Sequence, residues 1–111
     1  MPTQIVLVLT TVGSEEQANR IASSLVEAGL AACVNSVRGV QSVYRWKGKI
    51  ERDTEHLLLV KTTAERFDAV RSHIRSIHTY ELPEIIAIPV ETGDAEALDW
   101  IRSSVESTES P

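Results

Sequence analysis

Cysteine occurs once, at Cys33, so no intrachain disulfide can staple this fold, and a lone thiol suits a reducing compartment. No purely apolar run exceeds five residues, as in Ile5 to Leu9, far short of the roughly 20 that a membrane-spanning helix needs. The opening Met-Pro-Thr-Gln has neither a charged n-region nor a cleavage signal, so no secretory peptide is expected and a cytoplasmic location is. Basic residues are the minority: 11 Lys and Arg against 16 Asp and Glu leave a net charge of −5. That balance disfavours nucleic acid and anionic membrane surfaces as partners, because both are gripped mainly by Lys and Arg. There is no glycine-rich phosphate loop, since Gly13 and Gly29 stand alone, and no Gly-x-Ser-x-Gly element. Zinc-site spacings such as Cys-x-x-Cys or His-Glu-x-x-His are missing too. No catalytic constellation emerges, and the chain is expected not to be an enzyme.

What is present is ordinary globular composition, 42% hydrophobic and 24% charged, in 111 residues. That length suits one domain with one core, burying about two-thirds of the unfolded surface. Residues 3–11 predict an interior strand, apolar on both alternating faces. Ser14-Glu15-Glu16-Gln17 reads as a capping box, Ala18, Ile21, Ala22, Leu25 and Val26 as a helix stripe, and Gly29 as its stop. Residues 32–47 and 49–61 predict two long strands around a Lys47-Gly48 turn. In the first of these, Val40, Tyr44 and Trp46 share one parity, and Val37 and Val43 the other. The stretch Arg52 to Glu55 is polar on both faces, so that end is solvated or touches something outside the chain. Thr62-Thr63-Ala64-Glu65 predicts a second capping box, opening a helix with Phe67, Val70, Ile74 and Ile77 inward. Ile85 to Val90 predicts a fourth strand, with Pro89 marking an edge or a bulge. Asp94 caps a last helix that turns Leu98, Ile101 and Val105 inward, and residues 106–111 read as a frayed, flexible tail.

The order β-α-β-β-α-β-α predicts an α+β fold: a ferredoxin-like split β-α-β sandwich with a long hairpin and an extra C-terminal helix. Right-handed crossovers place both main helices on one sheet face and leave the other bare. Two runs of about fourteen residues reach roughly 45 Å, well beyond the five or six residues typical of a strand. Both features favour self-association through the bare face and the overhanging hairpin; a monomer with bent strands and a folded-over third helix is the other reading.

Few side chains are candidates for chemistry. Cys33, opening the second strand, is either a small buried hydrophobe or a soft metal ligand that needs help from elsewhere. His73 reads as an exposed helix residue and His56 as a strand surface residue. His78, Tyr80, Glu81 and Glu84 put four protonatable groups on one Pro83-stiffened connector, either a ligand or ion pocket or a loop that satisfies its own backbone. Glu81 and Glu84 could form an acid/base pair, but without a nucleophile that is not catalysis. Lys61, beside a predicted helix N-terminus, is an anion contact or a solvated lysine.

Together, Ala31-Ala32-Cys33-Val34-Asn35, Ser42-x-Tyr44-x-Trp46-x-Gly48, Lys61-Thr62-Thr63, His78-x-Tyr80-Glu81-x-Pro83-Glu84 and the late Trp100 resemble the CutA divalent-cation tolerance family, in order and spacing, over about residues 4–105. The resemblance implies a single CutA-like domain over 1–111 with its ordered core at about 3–105. It implies a homotrimer of PII-like architecture in the cytoplasm and a link to tolerance of copper and other divalent cations. Of the metal candidates the resemblance carries over Cys33 best; His78, Glu81 and Glu84 join it as the connector's donors, with copper or another divalent cation expected to bind weakly. Lys61 and Tyr80 are the implied cleft contacts, and Tyr44, Trp46 and Gly48 the implied trimer contacts. Clefts between subunits are expected where the His78–Glu84 loop of one chain meets the hairpin of another. Two departures stand out. Thr79 replaces the proline usual after the histidine, and Thr10 and His73 stand in regions where some members carry further cysteines, which excludes a multi-thiolate site within one subunit. The expected function is therefore a homotrimeric divalent-metal (copper) tolerance or binding protein whose partners are itself and metal ions. A PII-like regulator of a small anionic ligand, or a structural trimer anchoring a partner protein, are the alternatives.

Overall fold

A computed structural model describes residues 3–105. Its elements are β1 (Ile5–Val12), α1 (Glu15–Glu27), β2 (Cys33–Trp46), β3 (Lys49–Thr63), a 3-10 turn (Ala64–Arg66), α2 (Phe67–Ile77), β4 (Ile86–Pro89) and α3 (Ala95–Ser104). The expected tail, 106–111, lies outside the described residues. The sheet is antiparallel throughout, in the order β2-β3-β1-β4, the ferredoxin-like arrangement.

One face of the sheet is sealed. Val6, Val8 and Val12 of β1 and Leu58 and Val60 of β3 join Ile21 and Leu25 of α1 and Val70 and Ile74 of α2 in one cluster. Each fully buried aliphatic side chain there stabilises the fold by about 1.5–3 kcal/mol. The ends of α1 are built as its sequence specifies. Ser14 accepts from the Gln17 amide, and α1 stops in a Schellman motif: Gly29, at φ +72°, donates to Val26 and Leu30 donates to Leu25.

The other face is mostly open. Leu7, Leu9, Leu57 and Leu59 are half-buried there, and Ile86 and Ile88 of edge strand β4 are 48% and 47% exposed. α3 covers only one end, packing on β1 and β3, with Arg102 donating to the Thr3 carbonyl and Arg66 to that of Val105. Ile5, Ile101 and Val105 are buried under it.

Four local expectations need correction. The second capping box does not form: Thr62 donates its hydroxyl to the Leu30 carbonyl at 2.7 Å, Thr63 makes no side-chain cap, and a 3-10 turn leads into α2 instead. The fourth strand is only four residues long and exposed throughout; it is the sheet edge that Pro89 marked, and Pro89 pairs there with Val6. His73 is half-buried rather than exposed, with Nε2 2.8 Å from the Ser24 hydroxyl, tying α2 to α1. His56 is half-buried too, its Nδ1 enclosed without a hydrogen-bond partner.

The hairpin explains a fifth. Lys47 and Gly48 both have positive φ, 51° and 81°, the two-residue turn whose twist matches that of paired strands. Farther back, Val37 pairs with Leu57 but Val40 with Glu55, so β2 carries one extra residue at a bulge around Arg38 and Gly39 (φ +71°). Val37 therefore shares a face with Val40, Tyr44 and Trp46, and Val43 lies on the opposite one. Simple alternation from 37 to 43 predicts the reverse. Arg38 is ion-paired with Glu15 in the first turn of α1.

Candidate functional site

Where the hairpin leaves the body of the sheet, the connector after α2 folds across it. α2 ends at Ile77, and the next residue acts as a two-ended clamp. His78 Nε2–H donates to the Thr11 carbonyl at 2.9 Å, while its Nδ1 accepts from the Tyr80 amide at 3.1 Å. Those partners fix a neutral tautomer. Burial holds the imidazole below its ordinary pKa, opposed by the Thr11 carbonyl and the charge of Glu55. Thr79 is held as well: its amide donates to Gln17 Oε1 at 2.9 Å. Gln17, the fourth residue of the first capping sequence, is buried and spends its side chain on this loop rather than on the cap.

Tyr80 packs its ring 4.8 Å from that of His78 and donates its hydroxyl to Glu55 Oε2 at 2.5 Å. Burial, then this hydrogen bond and the charge behind it, pushes the phenol far above its usual range. Glu55 is only 5% exposed, so its carboxylate is stable there because a donor meets it. Gly13 makes room, since a Cβ on it would lie 3.2 Å from the Tyr80 hydroxyl. A second phenol–carboxylate pair runs diagonally across the hairpin, Tyr44 donating to Asp53. That bond, followed by burial and the charges of Asp53, Glu51 and Glu55, pushes Tyr44 up to about 12.

Loop and hairpin enclose a cleft of about 770 Å³ whose walls include Tyr44, Asp53, Glu55, Tyr80, Glu81 and Glu84. Trp46 also lines it, with the Lys47 ammonium 5.6 Å from its ring centre and 3.8 Å from Glu81. Loop and hairpin were expected to meet between subunits; they already meet within one chain.

The structure does not bring all the expected residues together. Glu81 and Glu84 border the cleft, exposed. His78 lies behind it with both ring nitrogens committed. Cys33 is elsewhere: it pairs with Lys61, which pairs with Leu7, four residues along β1 from the Thr11 that His78 holds. That offset is roughly 13 Å of strand. Lys61 accordingly faces Cys33 rather than the cleft that Tyr80 lines. Among the described residues, no three His, Cys, Asp or Glu side chains are disposed to hold a metal ion. Tyr44 and Trp46 line the cleft wall and Gly48 forms the turn beyond. Glu55 and Gln17 were not singled out from sequence. The only signal for Glu55 was the polar run of β3, and Gln17 was read as a cap.

Comparison with known proteins gives a consistent picture. The family model described as CutA1 divalent ion tolerance protein matches residues 6–104. The "Divalent-cation tolerance protein CutA" of Thermus thermophilus is 50% identical over 98 residues, 88% of this chain and 95% of that one. "Protein CutA 1, chloroplastic" of Oryza sativa subsp. japonica is 40% identical over 103 residues, 93% of this chain; the chain spans only 58% of the rice protein. Among solved structures, the periplasmic divalent cation tolerance protein CutA of Archaeoglobus fulgidus superposes with a TM-score of 0.89 at 45% identity, covering 92% of this chain and 99% of its own.

Proposed function

The chain belongs to the CutA1 divalent ion tolerance family, and from that premise we propose that it serves the response to divalent metal ions, copper included, by binding rather than catalysis. In this reading it acts as a PII-like homotrimer in the cytoplasm, where its one thiol stays reduced. The observation that supports the binding role is the cleft: Asp53, Glu55, Glu81 and Glu84 all line it, and the Lys47 ammonium lies 3.8 Å from Glu81. The trimer rests on the open sheet face. Its half-buried leucines and the exposed Ile86 and Ile88 form an apolar surface that identical neighbours would cover.

The donor set fits weak, exchangeable binding and does not fit a closed copper site within one chain. Asp53 and Glu55 already accept from tyrosines, and His78 has no free ring nitrogen. Glu81 and Glu84 remain, and carboxylate oxygens favour hard or borderline divalent ions over Cu(I). Soft-metal binding at Cys33 would need donors from another copy. Titration calorimetry of the intact protein with Cu(II), Zn(II) and Mg(II) tests this. Binding lost in Glu81→Gln/Glu84→Gln but kept in Cys33→Ser is the expected result, and no uptake at millimolar metal would overturn the metal-binding role. The regulator of a small anion is the second reading, favoured by half-buried Lys61 on the open face; there Lys61→Ala would remove an anion-dependent stabilisation that Glu81→Gln leaves intact.

A further inference from the structure

The cleft is larger and more aromatic than a metal ion needs. Six waters around a divalent ion fill roughly 180 Å³, at about 30 Å³ each, whereas about 770 Å³ lies within the range of small-molecule sites. A metal at Glu81 and Glu84 leaves most of that space idle, and with it the rings of Tyr44, Trp46 and Tyr80. No Lys, Arg or His is among the described residues lining it, so an anion would find no countercharge. Glu55 narrows the choice. Only 5% of it reaches water, yet among the described residues its carboxylate has one partner, the neutral Tyr80 phenol on Oε2; Oε1 accepts nothing, and no ion pair forms. A carboxylate so enclosed is ordinarily met by a cation or by further donors. Asp53, also lining the cleft, likewise has a single phenol donor among the described residues, Tyr44. The chain itself shows which cation the walls accept. Lys47 holds its ammonium 5.6 Å from the Trp46 ring centre, within cation–π reach, and 3.8 Å from Glu81. Lys47 is exposed at the turn, and such a side chain changes rotamer within nanoseconds, so its ammonium is a tethered stand-in that can leave.

We propose that the cleft binds a small aliphatic amine in its ammonium form, the charged head bonded to the open oxygens of Glu55 and Asp53 and the methylenes laid against the aromatic rings. That ligand class goes beyond metal ions, and its assignment rests on the cleft being the binding site. Each part of the wall then has a use. The carboxylates accept the N–H donors, while the faces of Tyr44, Trp46 and Tyr80 attract the charge and cover the stem. The phenols of Tyr44 and Tyr80 hold the two inner carboxylates in place before the amine arrives, which lowers the cost of ordering them on binding. A second ammonium on the ligand takes the place of Lys47 between Trp46 and Glu81, so a diamine is held at both ends.

Titration calorimetry of the full chain with 1,4-diaminobutane, at neutral pH and physiological salt, is the test; 1,4-butanediol is the uncharged control and Zn(II) the metal arm. One diamine per protomer and no uptake of the diol are expected. Lys47→Met alters only an exposed side chain and should tighten diamine binding about threefold or more, because the tethered competitor is gone. Trp46→Leu should weaken it about tenfold, and Glu55→Gln at least as much. No diamine uptake at millimolar concentration, or equal uptake of the diol, overturns the amine site. A Lys47→Met protein that binds the diamine no tighter also overturns it, as does a folded Trp46→Leu variant with full affinity. Zn(II) uptake without diamine uptake sinks the amine site and leaves the metal role standing. Diamine uptake with these responses in a protein that takes up no metal upholds the amine site and removes the metal role.

Discussion

Removing one oxygen atom tests whether the connector is held by the Tyr80–Glu55 pair. In Tyr80→Phe, Glu55 keeps its position but loses the donor at 2.5 Å, in a place where only 5% of the residue reaches water. A hydrogen bond to a charged group contributes about 1.5–3 kcal/mol. Tyr80 is itself 36% exposed, so water can partly replace its hydroxyl, and the lower end, about 1.5 kcal/mol, is expected. For a domain of this size that lowers Tm by roughly 5 °C. Urea unfolding at fixed protomer concentration measures the loss without interference from assembly. The cycle with Glu55→Gln separates the pair from generic truncation: coupling of about 1 kcal/mol is expected between the two sites. If the two substitutions add to within about 0.3 kcal/mol, the short contact does not hold the loop and the reasoning fails.

Two further outcomes follow from the same corner of the molecule. His78 is held below its ordinary pKa, so the unfolded chain takes up its proton first; this part of the stability is intact above about pH 6.5 and declines as pH falls below it. The protection of the Tyr80 amide against hydrogen exchange, taken relative to its intrinsic rate at each pH, should therefore fall between neutral and mildly acidic pH, and an unchanged protection profile in His78→Gln would contradict the assignment. Gly13→Ala sets a methyl 3.2 Å from the Tyr80 hydroxyl and should cost about 1 kcal/mol by displacing it, an effect expected to vanish in the Tyr80→Phe background and readable by the same urea titration.

Much of the fold is legible in the chain because local chemistry and tertiary packing agree there. Ser14 and Gly29 bracket α1 by capping alone, and Lys47-Gly48 specifies the hairpin. The misreadings occur where one residue has two possible partners. Gln17 fits a capping box, yet it is buried against Thr79, which lies 62 positions away. Thr63 offers a cap that the backbone does not use, because β3 runs on to Thr63 in pairing with Ile5. His73 finds Ser24 across the α1–α2 contact, which no spacing within α2 reveals. The cleft was half legible: Tyr80, Glu81 and Glu84 cluster in sequence, whereas Glu55 gains its meaning only when Tyr80 arrives from the other side of α2. The metal candidates scatter for a related reason. Cys33 and His78 are held at different heights of one sheet by the β1–β3 register, and nothing near either residue in the chain encodes that register.

The bulge at Arg38 and Gly39 separates where the hairpin aims from what it carries. Its extra residue is absorbed locally, so Val37 still faces with Leu57 and Val40 with Glu55. Deleting Gly39 would let the strand run straight while every pair from Val40↔Glu55 to Trp46↔Lys49 kept its partner and side. Losing one residue between Gln41 and Arg45 would instead turn the rest of the strand over. The bulge thus works as a mitre joint: it sets the bend and added twist of the projecting arm. The exposed Arg38–Glu15 ion pair joins the bulge to the first turn of α1. A lineage could re-aim the arm with a single-codon deletion and keep every side chain beyond the bulge on its present face.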